Sequence, residues 1–238
     1  MKKIHFIGLF VFLFLIPVNA QKFIQIKDKS FNWGGKVGFS ATLPVINSLT
    51  INDIEAENIS QKYKVGFLAA AFARINIDRF FIQPSLSWRY AEGDIRFTIP
   101  LASTTTPTST VKENSKLEYK TTSLEVPIMI GYYIVKQGPY ALSLMVGPNL
   151  KYNYKTRYST SFVETSSEYI SESTPYGINI ATGIGVSIWR LFFDFTYEFG
   201  LNEVESNFRE IKTNTTQTGL MSIDKRTNVM SFSLGFLF

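Results

Sequence analysis

The chain has 238 residues and no cysteine. That excludes a disulfide scaffold, thiolate metal sites, iron–sulfur ligation and cysteine catalysis. It has a single histidine, His5, near its start. Charge is sparse: 18% of residues are Asp, Glu, Lys or Arg, and the basic ones form no cluster. Nucleic acid is therefore not expected as a partner. Beyond residue 20 no apolar run approaches the ~20 residues of a membrane-spanning helix. The longest is residues 65–73, nine with Gly66 counted. What the chain has in quantity is apolar and aromatic: 45% hydrophobic residues, with 21 Phe and 12 Tyr. A disordered chain is excluded, and the length suffices for one large domain with a core.

The first twenty residues read as a secretory signal. Lys2 and Lys3 give a positive start, residues 6–16 are apolar, and Val18-Asn19-Ala20 supplies small residues for cleavage. The apolar stretch is too short to span a bilayer. Cleavage near Ala20 leaves a mature chain from Gln21 with 22 basic and 19 acidic residues, a net charge of +3. His5 leaves with the signal. The mature chain then lacks the common general base, histidine-based triads and histidine zinc sites. No cofactor, metal or enzymatic activity is expected.

The rest of the chain alternates with period two. Val37, Phe39, Ala41 and Leu43 interleave with Lys36, Gly38, Ser40 and Thr42. Phe80, Ile82, Leu86, Trp88 and Tyr90 interleave with Gln83, Ser85, Ser87 and Arg89. The pattern recurs over residues 63–74, 124–134, 142–152, 178–188, 193–202 and 230–238, giving eight strand-like segments. Three connections are short, near Asp78, Gly138 and Arg190. Four are long and rich in Ser, Thr, Asn and Glu: residues 44–61, 92–116, 155–175 and 203–226. Alternating long and short connections suit an all-β, eight-stranded antiparallel up-and-down transmembrane barrel with two unlike rims. Eleven residues at ~3.4 Å rise and ~40° tilt span roughly 28 Å, enough for an apolar band of ~25 Å. Tyr63, Trp88, Tyr90, Tyr132, Tyr152, Tyr154 and Tyr176 fall near strand ends, where an aromatic girdle belongs.

Periodicity alone does not say which face is outside. The alternative is a soluble lipocalin-like barrel with its apolar face inward, binding a small hydrophobic ligand. With a secretion signal, the apolar face is assigned to outer-membrane lipid. Lys36, Lys64, Arg74, Arg89, Glu125, Lys151, Asp194 and Glu198 then form an ion network inside the barrel. Asp194 and Glu198, ~13 Å apart along one strand, are too far apart for a glycosidase pair. They are expected to pair with Arg74 or Arg89. Asp53, Glu55 and Glu57 lack the glycine pattern of a calcium loop.

Several stretches carry a family resemblance. Trp33-Gly34-Gly35-Lys36-Val37-Gly38, Phe81-Ile82-Gln83-Pro84-Ser85-Leu86, Ser123-Leu124-Glu125-Val126-Pro127-Ile128, Val146-Gly147-Pro148, residues 194–202 and residues 233–238 follow in order. Together they resemble the outer-membrane β-barrel family of gram-negative bacteria that includes PorT-like proteins. The resemblance implies an eight-stranded barrel in the outer membrane and no single activity. PorT itself is linked to a secretion and gliding machinery. Phe232, Leu234, Phe236 and terminal Phe238 resemble the signal by which barrel-assembly machinery accepts its clients. The expected function is structural or binding, carried by the four long connections.

Overall fold

A computed structural model describes residues 30–51, 54–101, 111–161, 166–173, 175–202, 204–210 and 220–238. The signal segment with His5 and the cleavage position near Ala20 lie outside the described residues, as does Asp53. Twelve strands form one antiparallel sheet. They are β1 (Phe31–Ile51), β2 (Ile54–Glu55), β3 (Glu57–Tyr63), β4 (Val65–Ile77), β5 (Phe80–Leu101) and β6 (Val111–Gln137). After them come β7 (Tyr140–Ser161), β8 (Ser166–Ser173), β9 (Tyr176–Ile188), β10 (Leu191–Gly200), β11 (Val204–Glu210) and β12 (Leu220–Leu237).

Eight of these close a ring in the order β1-β4-β5-β6-β7-β9-β10-β12, and β12 returns to β1. Closure leaves no edge in the ring. One end carries the tight turns, whose first residues Asp78, Gly138 and Trp189 have φ of 53°, 59° and 58°. Hairpins of right-twisted strands need such left-handed positions. Asp and Gly adopt them readily; Trp189 is an uncommon occupant.

Around this end the apolar residues point outward. Val37 is 62% exposed and Phe39 56%, with Leu86, Trp88, Ile130, Leu144, Ile184 and Phe232 on the same surface. This excludes the inward-facing lipocalin arrangement. Rows of aromatics mark the limits of the apolar band. On the turn side Trp33 stacks on Phe238 at 4.4 Å and Phe80 meets Tyr132 at 5.0 Å. On the far side Trp88 Nε1 donates to the Tyr154 hydroxyl at 2.9 Å, and Tyr152 lies against Tyr176.

The four long connections are not polar loops. Most of their described residues are strand. β6 runs for 27 residues, roughly 70 Å along the axis at ~3.4 Å rise and ~40° tilt, far beyond a ~25 Å band. Above the band the alternation continues with its sense reversed. Leu49, Ile95, Phe97, Leu117, Tyr119, Tyr158 and Ile223 point inward and form a buried apolar cluster. Arg96, Lys120, Arg157 and Arg226 point outward. Two bulges help set this register: Asn47 is extra in β1 opposite β12, and Tyr154 is extra in β7 opposite β6. Ser and Thr kept the mean hydropathy of these stretches low, but Thr and Tyr are good strand formers.

The upper tier has its own neighbours. β8 and β11 pair with each other and fill the space between β7 and β12 above the ends of β9 and β10. β3 continues along β5 above β4, and β2 folds back on β1. The barrel therefore has a membrane belt and a rim that extends the same sheet.

Candidate functional site: the charged lumen and the extended rim

Inside the belt, small inward residues make room for large ones. Gly131 lies under the Phe81 ring, and a Cβ there would come within 2.0 Å of it. Gly235 does the same for Phe192. These rings build the layer at the turn end. Arg74 is enclosed by it: its guanidinium carbon sits 4.5 Å from the Phe81 ring centre, with Phe72 and Phe192 at 5.8 and 5.6 Å. Arg74 Nε donates to Gln83 Oε1 at 2.8 Å, and Nη1 to the Tyr133 hydroxyl at 3.3 Å. Ring faces, a side-chain amide and a phenol replace the carboxylate expected for this residue.

The next layer is ionic. Arg89 donates from Nε and Nη2 to both oxygens of Glu125, at 2.9 and 2.8 Å. Its Nη2 also contacts Glu198 Oε1, and Nη1 donates to Ser231 at 3.1 Å. One guanidinium thus joins β5, β6, β10 and β12 across the lumen. Such a planar fork suits two carboxylates held in fixed directions. Glu125 is fully buried and Arg89 4% exposed. The remaining carboxylate valences are filled by Ser123, by Asn149 on both acids and by Asn179 on Glu198. Lys151 lies opposite Glu125 in the β6–β7 register, 3.6 Å from Oε1. Nearer the turns, Lys36 donates to Asp194 Oδ2 at 2.9 Å.

Six of the eight residues read from the sequence as an interior network therefore meet here: Lys36, Arg89, Glu125, Lys151, Asp194 and Glu198. Arg74 is inside the barrel but pairs with neither acid. Asp194 takes Lys36 as its partner rather than Arg74 or Arg89. Lys64 is not in the lumen. It stands between β3 and β4, where the alternation breaks. It faces outward with its Nζ 2.8 Å from Asp94. Lys116 approaches Asp94 from the other side at 3.4 Å and also pairs with Glu118. Burial would raise the Asp94 carboxyl, but the ammonium groups of Lys64 and Lys116 outweigh it and hold its pKa below the usual value. The Lys64 pKa is correspondingly raised, chiefly by its contact with Asp94.

Lys225 does not figure in the sequence-based network. It points into the upper lumen between Tyr119 and Tyr158, 5.0 and 5.1 Å from their ring centres, and donates to the Tyr158 hydroxyl at 3.0 Å. The signal was present: Ile223, Lys225, Thr227 and Val229 continue the inward parity of Ser231 and Ser233. Asn149, Asn179 and Gln83, also inward polar residues, complete the network without carrying charge.

The lumen is filled. At the ion layer the free space is about 30 Å³, room for only a few water molecules at ~10–15 Å³ each. Above it lies the rim's apolar cluster. Among the described residues, no group of three or more His, Cys, Asp or Glu side chains could hold a metal ion. On the outer surface, Phe232 and Phe238 face the lipid side and Phe236 is half-buried. They lie on the strand that closes the ring, with Phe39 opposite Phe232 and Gly35 opposite Phe236.

Comparison with known proteins agrees with this geometry. A family model described as outer membrane protein beta-barrel domain matches residues 19–206, and the chain belongs to that family. Among solved structures it is similar to OprG from Pseudomonas aeruginosa, at 10% identity and a TM-score of 0.51, covering 88% of this chain and 97% of that one. Ail from Yersinia pestis, solved with the heparin analogue sucrose octasulfate, matches at 11% identity and a TM-score of 0.36 (88% and 100% covered). The outer membrane protease OmpT from Escherichia coli matches at 7% identity and a TM-score of 0.45 (90% and 100%). No curated protein matches the sequence. Family and fold imply a bacterial outer-membrane location.

Proposed function

We propose that this is a non-enzymatic outer-membrane protein that binds its partner through the extended rim, with the belt acting as a rigid anchor. The observation that carries the reading is the contrast between a filled lumen and a rim with its own core. A barrel whose centre is crossed by Arg89, Glu125 and Glu198 offers no route for solutes. A rim with a buried cluster of Leu49, Ile95, Phe97, Leu117, Tyr119, Tyr158 and Ile223 is a structured platform, of the kind that presents binding residues on a stable scaffold.

In this reading the signal segment is removed near Ala20, residues 21–238 form one domain, and the tight turns face the periplasm. The rim faces the exterior. Phe232, Phe236 and Phe238 present the last strand to the barrel-assembly machinery. Support comes from the family match, from the outward apolar band and from the aromatic rows that bound it.

The test combines fractionation with conductance. Outer-membrane recovery, a gel mobility that changes on heating, and no ion conductance in planar bilayers are expected. Steady conductance through the purified barrel would overturn the filled-lumen reading. Stable cross-linking of rim residues to a secretion or gliding complex would make the protein a PorT-like component instead of a free-standing binder.

A further inference from the structure

The charges sealed inside the barrel do not balance. Among the described residues five cations face the lumen: Lys36, Arg74, Arg89, Lys151 and Lys225. Three anions face it: Glu125, Asp194 and Glu198. A buried charge without compensation is costly, because the low-dielectric interior cannot replace its hydration. Three aromatic faces, an amide and a phenol enclose Arg74, at the turn end. The second excess charge is at the top, where Lys151 shares Glu125 with Arg89 and no described carboxylate reaches Lys225.

Between those two lysines lies a cavity of about 40 Å³. Its walls include Lys151, Lys225 and the threonines Thr42, Thr121, Thr156 and Thr227, and no acidic side chain. Thr42 Oγ1 and Asn153 Oδ1, both at this cavity, are buried without a hydrogen-bond partner among the described residues. The hydroxyl can donate to an anion; the amide oxygen only accepts and needs a donor such as a lysine ammonium. Burial, with Tyr158 and Asp94 nearby, pushes the Tyr119 phenol upward, so it stays neutral and supplies no negative charge. Lys151 of the ion layer and Tyr119 and Tyr158 of the rim's apolar cluster form part of its wall.

We infer that this cavity is a binding site for one halide-sized monovalent anion, held between the ammonium groups of Lys151 and Lys225 and by threonine hydroxyls. Charge and the small space together select the class. The cavity of about 40 Å³ holds only a few water-sized bodies at ~10–15 Å³ each, which suits chloride or bromide. A water molecule would satisfy the hydroxyls but leave the lysine charge unanswered. The anion is a counter-ion that becomes enclosed when the barrel closes, so the stability of the folded barrel depends on the halide present during folding.

The test refolds the protein from denaturant into detergent in sodium chloride, sodium bromide or sodium gluconate at equal ionic strength. Unfolding is followed by heat-dependent gel mobility and circular dichroism. Halide at a large excess over its dissociation constant is expected to raise the unfolding temperature by roughly 5–10 °C relative to gluconate. The difference should vanish in Lys225→Met, while Lys62→Met, on the outer surface, keeps it. Crystals grown in bromide should show an anomalous peak within hydrogen-bond reach of both Nζ atoms. That observation needs no variant and stands even if Lys225→Met does not fold. Equal unfolding temperatures in the three salts, or bromide crystals without that peak, would overturn the assignment.

Discussion

The belt and the rim are built from the same strands, and they solve opposite problems. In the belt, Val37, Leu86, Ile130 and Phe232 face lipid while Arg89, Glu125 and Glu198 face one another. In the rim, Ile95, Leu117 and Ile223 face inward while Arg96, Lys120 and Arg157 face out. β5 changes sense between Trp88 and Ile95 without leaving the sheet. The comparison teaches that a strand's period reports its geometry, while the sense of the alternation reports its solvent. A charge is tolerated inside the belt because it is multiply bonded there, and an apolar core is possible in the rim because water surrounds it.

Breaking the belt's centre should have the largest effect. Glu125→Leu removes both carboxylate oxygens from Arg89 and the acid opposite Lys151. Loss of about 3–5 kcal/mol is expected, the usual result when one partner of a buried pair is deleted. Urea unfolding of the detergent-refolded protein would show it. Leu117→Ala tests the other tier. Truncating a fully buried rim residue should cost about 2–5 kcal/mol, measured as faster hydrogen exchange in rim strands while belt strands keep their protection. If belt and rim lost protection together, they would be one cooperative unit rather than two tiers.

Smaller effects sharpen the boundary. Gly131→Ala places a methyl against the buried Phe81 ring, and overpacking of this kind costs about 1–3 kcal/mol. Its signature should be confined to the turn end. Trp88→Phe keeps an aromatic in the girdle but loses the hydrogen bond to Tyr154, worth about 0.5–1.5 kcal/mol. The smallest effect is a pH dependence at the outer surface. The folded Asp94 pKa is lowered, so its contribution is present above the ordinary aspartate value. It is lost as pH falls through the lowered folded value. Protease susceptibility of the rim should rise on acidification in the wild type and be flatter in Asp94→Asn.

Much of the belt was legible in the sequence. Period two, the aromatic rows and the short turns defined eight strands, and their inward positions included Arg89, Glu125 and Glu198. What periodicity supplies is a face, not a height or an angle around the axis. Arg74 and Arg89 share an inward face, yet only Arg89 stands level with the acids; Arg74 lies among Phe72, Phe81 and Phe192. Lys64 was misplaced because it falls on the break between β3 and β4, where the parity count fails. Lys225 and the rim were hidden for another reason. Low hydropathy resembles a loop when the apolar member of each pair is Tyr or a lone Ile and the polar member is Thr or Ser.

The seam between β1 and β12 has a consequence for the order of events in folding. Seventeen residue pairs join these strands, from Gly34 with Leu237 to Ile51 with Met221. Their members are between 170 and 203 residues apart in the sequence, so this is the longest loop to close, and the ring cannot exist until β12 meets β1. Before that the sheet has two open edges, each a template for another chain. Formation of the β1–β12 seam removes both edges in one step, so the barrel's protection against pairing with other chains arrives all at once rather than strand by strand.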